Sequence, residues 1–390
     1  MTIAIAPDAF KGALSAAHVA AVLADGLRAG LPGARFRLIP MADGGEGTVD
    51  AWAAATGATR CRARVHDPLG RPILAGYARD TRRRTAVIEM AAASGLPLLA
   101  ADERNPLLTS TRGTGELIRH ALDHGARRLL IGIGGSATND GGVGMAAALG
   151  VRLLDRHGRD LPPGGGALLR LHRIDDTGLD PRLRHTELEV ACDVTNPLCG
   201  RNGASAVYGP QKGATPSQVR TLDTALARLA AVVGAARPDL ANLAEAAGAG
   251  AAGGLGYGLM IFGGARLGRG VEYVAKAVRL AQRLRGCDLV VTGEGRLDGQ
   301  TVNGKTPVGV AAVAQRLGIP VIAICGCLGD GYEAVHAAGI DAVFPVAHGL
   351  FDPAHPARGA RARIRACAVE VSRLLAVKLI SDGRRGTRRL

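Results

Sequence analysis

The sequence predicts an α/β fold made of two domains. Short apolar runs typical of buried strands alternate with helix-like segments at both ends of the chain, the pattern of a parallel sheet covered by helices. In the middle, segments that alternate apolar and polar residues favour a mixed or antiparallel sheet. The chain has 390 residues, more than one ordinary compact domain holds. We therefore expect two α/β domains around a cleft.

Both ends of the chain are predicted to build one doubly wound, Rossmann-like domain with a parallel sheet. Ser15 is the expected N-cap of the first helix. The predicted strands are residues 2–6, 35–40, 288–292, 321–325 and 342–345, and the predicted helices are 15–29, 45–56, 308–317, 332–338 and 361–379. This domain is expected to comprise residues 1–60 and 286–380, followed by a disordered basic tail at 381–390.

Residues 61–285 are expected to form an inserted second α/β domain. Thr215-Pro216-Ser217-Gln218 combines a capping box with Pro at the first helical position, so a helix should run from there to about residue 233. The uncharged run 246–265 is rich in Gly and poor in bulky apolar residues in its first half, which favours a loop opening a buried helix over a membrane span. The other predicted strands are 60–65, 73–79, 85–90, 129–133 and 151–154, and the other predicted helices are 116–123 and 145–149.

Basic residues exceed acidic ones, 48 against 34, giving a net charge of +14 and a pI of about 10.2. The excess is scattered arginine, and aromatic residues make up only 3%, so platforms for stacking bases are few and nucleic-acid binding is not indicated. The N-terminus lacks a signal-peptide pattern, and a cytoplasmic protein without membrane contact is expected. Nothing in the sequence indicates an oligomeric state.

Gly-rich loops that carry acid, amide or lysine side chains follow most of the predicted strands. In open α/β sheets ligands bind at the carboxyl ends of the strands, so charged loops there are functional candidates. The six loops are residues 6–12, 41–48, 132–142, 192–198, 209–213 and 292–298. One such loop means little, but six predict a large polar site.

The residue types in these loops suit phosphoryl transfer. Backbone amides of Gly turns hold phosphate oxygens, Lys and Arg spread the transition-state charge, and carboxylates hold Mg²⁺ or accept the proton of the attacking hydroxyl. Only five lysines are present, and Lys11, Lys212 and Lys305 each lie beside Gly in polar loops. A compact ammonium at these positions favours phosphate recognition.

Two short glycine patterns offer alternatives. Residues 299–306 fit the P-loop pattern, but residues 293–298 separate them from the preceding strand and Pro307 lies inside the expected helix, so we interpret the match as coincidence. Gly132-x-Gly134-x-x-Ala137, with Asp155 at the end of the next strand, fits a dinucleotide site and an NAD-dependent oxidoreductase of a small hydroxy acid. Against this, residues 138–142 are loop formers where the dinucleotide helix should start. A basic binding protein without catalysis is a third class.

Longer blocks, in the same order, resemble the bacterial type I glycerate kinase family over about residues 3–344. The blocks are Pro7-Asp8-x-Phe10-Lys11-Gly12 and residues 40–48, 132–142, 193–198, 209–214, 250–256 and 292–298. The resemblance implies ATP- and Mg²⁺-dependent phosphorylation of D-glycerate, with 2-phosphoglycerate and ADP as the expected products. It also implies a place in glyoxylate or sugar-acid breakdown and accounts for Lys305 without a true P-loop.

Candidate roles follow from residue chemistry within these blocks. Asp193, after a strand and before the rigid Asn196-Pro197 turn, is the hypothetical general base, with Mg²⁺ binding or capping as alternatives. The candidates for the phosphates or the glycerate carboxylate are Lys11, as a catalytic residue, Lys212, Lys305 and Arg296. The candidate Mg²⁺ ligands are Asp43, Glu46, Glu294 and Asp298. The candidate substrate-binding residues are Asp8, Ser136, Asn139, Asp140, Asn196 and Arg296. Backbone contacts to ATP are expected from Gly134, Gly135, Gly253 and Gly254. For Asp8, Asp140 and Asn196, capping of their own loops is the alternative.

Overall fold

The computed structural model describes residues 1–346 and 359–386. The chain forms two compact units. Unit 1 comprises Met1–Asp43, Asp50–Gly57 and the described residues from Val271 onward, and unit 2 comprises Gly44–Val49 and Ala58–Gly270. The chain thus returns to unit 1 at 271, whereas the sequence suggested 286. Within the described ranges, no helix is long and apolar enough to cross a membrane.

The strands and helices alternate along most of the chain. In chain order the strands are β1 (Thr2–Pro7), β2 (Arg35–Leu38), β3 (Thr59–His66), β4 (Pro72–Asp80), β5 (Thr85–Glu89), β6 (Arg128–Gly132), β7 (Arg152–Leu154), β8 (Arg173–Asp175), β9 (Glu187–Ala191), β10 (Arg266–Gly268), β11 (Leu289–Gly293), β12 (Arg296–Leu297), β13 (Val321–Cys325), β14 (Cys327–Leu328) and β15 (Ala342–Pro345). The α-helices are α1 (Ala16–Gly30), α2 (Thr48–Thr56), α3 (Ala91–Ser94), α4 (Arg112–Asp123), α5 (Val143–Ala148), α6 (Ala204–Tyr208), α7 (Pro216–Ala236), α8 (Ala251–Gly263), α9 (Gly270–Ala277), α10 (Leu280–Leu284), α11 (Thr306–Gln315), α12 (Ala334–Ala337) and α13 (Ala360–Gly386).

Unit 1 is built on a parallel sheet whose described strands lie in the order β15–β13–β11–β1–β2. The central strands β1 and β11 are buried along their whole length, as expected for strands covered by helices on both faces. The predicted parallel sheet from the two chain ends is therefore confirmed. Its connections run in opposite directions, because β1 continues to β2 on one side and β11 continues to β13 on the other.

Helices α1 and α13 pack against each other over the core of unit 1. Val19, Leu23 and Leu27 of α1 share one apolar cluster with Ile364 and Val371 of α13. The two backbones approach closely at Gly26, where an added Cβ would lie 2.6 Å from both Ala368 Cβ and the Arg365 carbonyl oxygen. A side chain at this position has no room.

Unit 2 is built on a mixed sheet in the order β10–β9–β6–β5–β4–β3. Strands β5, β6, β9 and β10 are parallel, and β3–β4 and β4–β5 are antiparallel, which confirms the predicted mixed sheet. On the edge strand β3, Ala63 and Val65 are buried while Arg60, Arg62 and Arg64 are exposed. One face packs on the core, and this is why the alternating pattern was visible in the sequence.

The predicted helix caps at Ser15 and Thr215 are confirmed. The Ser15 side chain accepts a hydrogen bond from the His18 N–H, and Thr215 and Gln218 form the reciprocal capping box. Helix α8 follows the Gly-rich loop as expected. Two predicted helix starts were wrong: α2 begins at Thr48, after a loop with left-handed glycines at 44 and 47, and α4 begins at Arg112 rather than at the predicted residue 116.

The C-terminal helix is longer than the sequence indicated. Helix α13 continues to Gly386, past the predicted end at 379 and into the range 381–390 that was expected to be disordered. Residues 387–390 lie outside the described residues. The apolar repeat that marked this helix weakens after residue 379, so sequence periodicity alone ended it too early.

We predict that Gly26→Val destabilises unit 1. The new side chain would overlap Ala368 and the backbone of α13, and overpacking of this kind costs about 1–3 kcal/mol. Urea unfolding of the variant should show a correspondingly lower free energy of unfolding. Gly33→Val is the control, because no atom lies within 4 Å of the position that a Cβ would take there. Equal stability of both variants would contradict the close helix contact.

Candidate active site

The carboxyl ends of β1 and β11 mark the point in unit 1 where the strand order reverses. Pro7 pairs with Gly293 in the parallel register, so the next residues, Asp8 and Glu294, leave the sheet side by side. At such a switch point the connections after the two strands diverge and leave a crevice, the usual ligand site of doubly wound sheets. The fold therefore places two acids at the most favourable ligand position of this sheet.

A cavity of about 310 Å³ opens at this switch point. Its charged lining combines acids and bases that come from several of the Gly-rich loops. These charged residues are Asp8, Lys11, Asp43, Glu294, Arg296, Lys305 and Arg363. Loops from opposite ends of the sequence are thus brought together within one unit.

Burial dominates the electrostatics of the two switch-point acids. It raises the pKa of Asp8 to about 6, with the Asp43 carboxylate adding to the increase, although the Thr306 hydroxyl that donates to Asp8 opposes it. Burial likewise raises the pKa of Glu294 to about 7, against the opposing effects of Lys305 and of the Thr301 hydroxyl. Both acids lie in a setting where a positive ligand would stabilise their charged form.

The basic residues of the cavity pair with acids and remain largely accessible. Lys11 Nζ lies 3.6 Å from Asp43 Oδ2, and the Lys11 side chain is 68% exposed. The Asp43 carboxylate raises the pKa of Lys11. Lys305 Nζ lies 3.3 Å from Asp298 Oδ1, and Arg296 Nε lies 3.6 Å from Asp298 Oδ2. Asp298 therefore positions two cations of the candidate site.

Lys305 is the N-cap of α11, and Pro307 lies in the first turn of this helix. Strand β11 already ends at Gly293, and β12 and a 3-10 turn at Thr301–Asn303 intervene before α11. A P-loop wraps directly from its strand into its helix, so the pattern at 299–306 does not form one. Its lysine nevertheless stands at a helix start and lines the cavity.

The candidate metal ligands divide between the two units. Asp43, Glu294 and Asp298 belong to unit 1, whereas the exposed Glu46 belongs to the segment Gly44–Val49 of unit 2. That segment lies on the carboxyl edge of the mixed sheet, where Gly44 contacts Ala191 and Gly132. Within residues 1–346 and 359–386, no group of three or more acid, His or Cys side chains is arranged to hold a metal ion by itself.

In unit 2 the loop after β6 changes from exposed to buried along its length. Gly134 and Gly135 are exposed, while Ser136, Asn139 and Asp140 are buried. Lys212 is also buried, and its Nζ donates to Ser136 Oγ at 2.7 Å and to the Thr138 carbonyl oxygen at 2.6 Å. Burial lowers the pKa of Lys212 to about 7. Lys212 thus fixes this loop, and its expected contact with phosphate stays a prediction.

Asn139 and Thr138 lie in the same buried region. Asn139 Nδ2 donates to Ser205 Oγ at 2.8 Å, whereas Asn139 Oδ1 and Thr138 Oγ1 are buried without a hydrogen-bond partner among the described residues. Buried polar atoms without partners are costly and call for a functional explanation. The predicted substrate residues Ser136 and Asn139 are therefore in one polar region, beneath the exposed Gly134 and Gly135.

Gly253 and Gly254 form a left-handed turn at the start of α8, with φ of 70° and 86°. An added Cβ at Gly253 would overlap the Thr138 carbonyl oxygen, and one at Gly254 would lie 2.8 Å from Gly141 Cα. These glycines are required by the close packing of α8 on the loop after β6, which accounts for them without an ATP contact.

Asp140 has a structural role. Its carboxylate is completely buried and accepts hydrogen bonds from the N–H and hydroxyl of Thr111 and from the N–H groups of Gly142 and Gly144. Burial raises the pKa of Asp140 against these stabilising donors. The carboxylate satisfies the N-terminal N–H groups of α4 and α5, so local capping describes Asp140 better than ligand contact.

Asp193 and Asn196 lie in the loop after β9. Asp193 is exposed, and its Oδ1 accepts a hydrogen bond from the N–H of Gly270, the first residue of α9. Asn196 donates to the Asn202 carbonyl oxygen and accepts from the Tyr208 hydroxyl. Asn196 therefore stabilises its own loop, and Asp193 is the exposed acid at this carboxyl end.

The geometry of the loop after β6 does not fit dinucleotide binding. A pyrophosphate would need the N-terminus of α5, but the carboxylate of Asp140 already occupies it. Asp155, the expected ribose ligand, accepts from the N–H groups of His157 and Arg159 and stabilises its own turn. The pattern Gly132-x-Gly134-x-x-Ala137 therefore does not lie in the structural surroundings that a dinucleotide site requires.

Sequence reasoning missed three polar residues. Glu89, the last residue of β5, accepts a hydrogen bond from the Val49 N–H near the start of α2; its signal was a single acid at the end of an apolar strand. Thr301 and Thr306 donate to Glu294 and Asp8. Nothing local in the sequence marks the Thr306 hydroxyl, because the acid that it meets lies 298 residues away.

Comparison with known proteins settles the family. The Glycerate kinase family model matches residues 3–376. The chain is 48% identical to glycerate 2-kinase of Escherichia coli over 98% of this chain and 100% of that protein. It is 52% identical to a glycerate kinase of Bacillus subtilis over 90% of this chain and 91% of the relative.

The chain belongs to the glycerate kinase family. Its fold agrees with a crystal structure from Salmonella typhimurium LT2 described as a putative glycerate kinase 2, with a TM-score of 0.88, 48% identity and coverage of 98% of this chain and 99% of that one. The predicted family and the prediction of a small-molecule kinase are confirmed, and membership of this family implies ATP as a substrate. The alternative of a nicotinamide oxidoreductase is not supported.

We predict that Lys212→Met changes how stability depends on pH. Lysine titrates near 10.5 when unfolded but near 7 in the fold, so between these values the unfolded state binds more protons and rising pH stabilises the parent protein. Between pH 7 and 10, the free energy of unfolding of the parent should rise relative to that of Lys212→Met by at most about 1.4 kcal/mol per pH unit. Urea unfolding at several pH values measures this slope.

Arg220→Met, at an exposed position of α7, is the matched control and should parallel the parent across this range. The hydrogen bonds lost at Ser136 and Thr138 shift the Lys212→Met stability by a constant amount. A parent-minus-variant difference that does not change with pH would show that Lys212 remains charged in the fold.

Proposed function

We propose that the protein transfers the γ-phosphoryl group of ATP to the 2-hydroxyl of D-glycerate, giving 2-phospho-D-glycerate and ADP in the cytoplasm. The observation that carries phosphoryl transfer is the set of acids and bases lining one cavity at the switch point of unit 1. The acceptor and its hydroxyl are inferred from the full-length relationship to the Escherichia coli glycerate 2-kinase.

Lys11, Lys305 and Arg296 are the proposed phosphate ligands. All three line the cavity, and Lys11 and Arg296 are mostly exposed. Lys305 stands at the N-terminus of α11, where the backbone N–H groups and the helix dipole also favour an anion. Their pairing with Asp43 and Asp298 holds the cations in place before a nucleotide arrives.

The carboxylates of unit 1 fit a divalent cation. Burial disfavours the charges of Asp8 and Glu294, and neighbouring carboxylates, Asp43 for Asp8 and Asp8 for Glu294, add to this cost. A bound cation relieves both costs. Magnesium usually takes one or two carboxylates together with substrate phosphates and water, which suits a site without a ready-made cluster of three acids in the described chain. We propose Asp43 and Glu294 as the residues that would hold Mg²⁺, which would supply charge neutralisation for the phosphates.

The proposed groups for the acceptor are Asp193 and the exposed backbone of Gly134 and Gly135. Asp193 is exposed at the carboxyl end of β9 and is the proposed base that takes the proton of the 2-hydroxyl as its oxygen attacks phosphorus. The exposed backbone of Gly134 and Gly135 is proposed to contact the glycerate carboxylate. Ser136, fixed by Lys212, holds this loop in shape. The expected contribution of a positioned base is about 10²–10⁴-fold in rate.

The reaction itself is the first test. We expect the purified protein to release ADP when D-glycerate, ATP and Mg²⁺ are present together, and ³¹P NMR should identify 2-phosphoglycerate as the product. Omitting glycerate should reduce ADP release to background. Formation of 3-phosphoglycerate would overturn the assigned hydroxyl, and absence of turnover from folded protein would overturn the acceptor.

Asp193→Asn tests the base. The amide oxygen can still accept from the Gly270 N–H, so the loop should keep its shape while the basic carboxylate is lost. We expect kcat to fall by about 10²–10⁴-fold, with an unchanged urea midpoint. Asp239→Asn, at another exposed acid of unit 2, should keep full activity. Near-parental turnover of Asp193→Asn would remove Asp193 from the base role.

A further inference from the structure

The cavity of unit 1 has two chemically different sides, and the strand order separates them. Its acids and bases other than Arg363 belong to the connections that follow β1, β2 and β11, a part of the cavity that also includes Phe10 and Ala13. The side at β13 and β15 is lined, beside Arg363, by Gly326, Val346, Ala360 and Ile364. Val346 and Ile364 belong to the apolar core cluster of this unit. Helix α13 therefore contributes apolar residues, the apolar wall, to the side of the cavity at β13 and β15.

The apolar wall has no use in binding glycerate. Every carbon of glycerate carries oxygen, so this acceptor has almost no apolar surface to bury. ATP, in contrast, joins a flat aromatic ring to a triphosphate, and its two parts match the two sides of the cavity. A cavity of about 310 Å³ is at the lower end of the range for small-molecule sites, roughly 300–1,000 Å³.

We propose that the adenine ring of ATP binds against α13, beside Ala360 and Val346, with the triphosphate directed toward Lys11 and Lys305. This proposal rests on the proposed function and adds the position of the nucleotide base. It places ATP in unit 1, whereas the sequence suggested nucleotide contacts from Lys305 of unit 1 but mostly from unit 2: Gly134, Gly135, Lys212, Gly253 and Gly254. Gly253 and Gly254 are accounted for by their packing against the loop after β6.

Arg363 supports this assignment. It lines the cavity from the same helix as Ala360 and Ile364 and is half-buried. A guanidinium group stacks on aromatic rings through its flat face. An arginine beside the apolar wall is thus suited to stack on an adenine ring.

Ala360→Trp tests the proposal by filling the apolar side of the cavity. We expect the KM for ATP to rise at least tenfold, while the KM for D-glycerate stays within twofold. Ala366→Trp, at an exposed position of α13 outside the cavity, is the matched control and should leave both values unchanged. An unchanged KM for ATP in Ala360→Trp would overturn the proposal.

Binding of nucleotide fragments separates the base site from the phosphate site. By titration calorimetry, Ala360→Trp should lose adenosine binding and keep binding of inorganic tripolyphosphate. Arg363→Ala, at a partly exposed position that tolerates truncation, should weaken adenosine several-fold and leave tripolyphosphate within twofold. Loss of tripolyphosphate with retention of adenosine would overturn the assignment of both sides.

These experiments distinguish failure of the proposed adenine site from failure of the proposed function. If adenosine binds at α13 and is displaced by Ala360→Trp, but D-glycerate is not phosphorylated, the nucleotide site stands and the acceptor is wrong. If D-glycerate is phosphorylated with an ATP KM that Ala360→Trp and Arg363→Ala leave unchanged, the reaction stands and the base site is wrong.

Discussion

The parallel pairing of β1 with β11 is the constraint on which the candidate phosphate site depends. These strands come from opposite ends of the chain, and burial of both forces them into one register. Their next residues, Asp8 and Glu294, therefore meet although both are acids. Burial raises the pKa of both groups, and the nearby Asp8 carboxylate adds to the increase for Glu294. Lys11 and Lys305 reach the same cavity because they belong to the connections that these strands begin.

In unit 2 the corresponding constraint is a pair of buried charged residues. Lys212 fixes the loop after β6 through Ser136 and Thr138, and Asp140 satisfies the starts of α4 and α5. Burial of an isolated charge is expensive unless hydrogen bonds compensate for it. Asp140 obtains partial compensation from the donors of Thr111 and of the start of α5, although burial still raises its pKa. For Lys212, burial lowers the pKa to about 7. The loop that presents Gly134 and Gly135 is thus held by polar contacts beneath it.

The sequence predicted what local patterns encode. Buried strands appeared as apolar runs, β3 as an alternation, and α7 through its capping box, because each signal lies within a few adjacent residues. The start of α4 could not be found in this way, since Asp140 satisfies the Thr111 N–H from 29 residues away. The burial of Lys212 could not be predicted for the same reason: a lysine beside Gly suggests a phosphate loop, and only the fold shows that its ammonium contacts Ser136 and Thr138.

Short patterns failed where their three-dimensional context differed. Gly132-x-Gly134-x-x-Ala137 has dinucleotide spacing, yet Asp140 caps the following helix and leaves no place for a pyrophosphate. The long blocks predicted the family correctly because several loops had to match the family's sequence, in the same order, at the same time. Residues such as Asp43 and Glu294 acquire chemical meaning only together, and no single window of the sequence contains both.

The mixture of charges in the unit 1 cavity has a further physical consequence. A site lined only by Lys11, Arg296 and Lys305 would attract any polyphosphate, including ATP without a metal. Asp8, Asp43 and Glu294 line the same cavity, and their negative charge repels an uncompensated triphosphate. On the proposed function, these acids make nucleotide binding depend on a divalent cation, and the lysines then act on phosphates whose charge is already partly neutralised. The acids that are costly to bury thereby favour the form of ATP that can react.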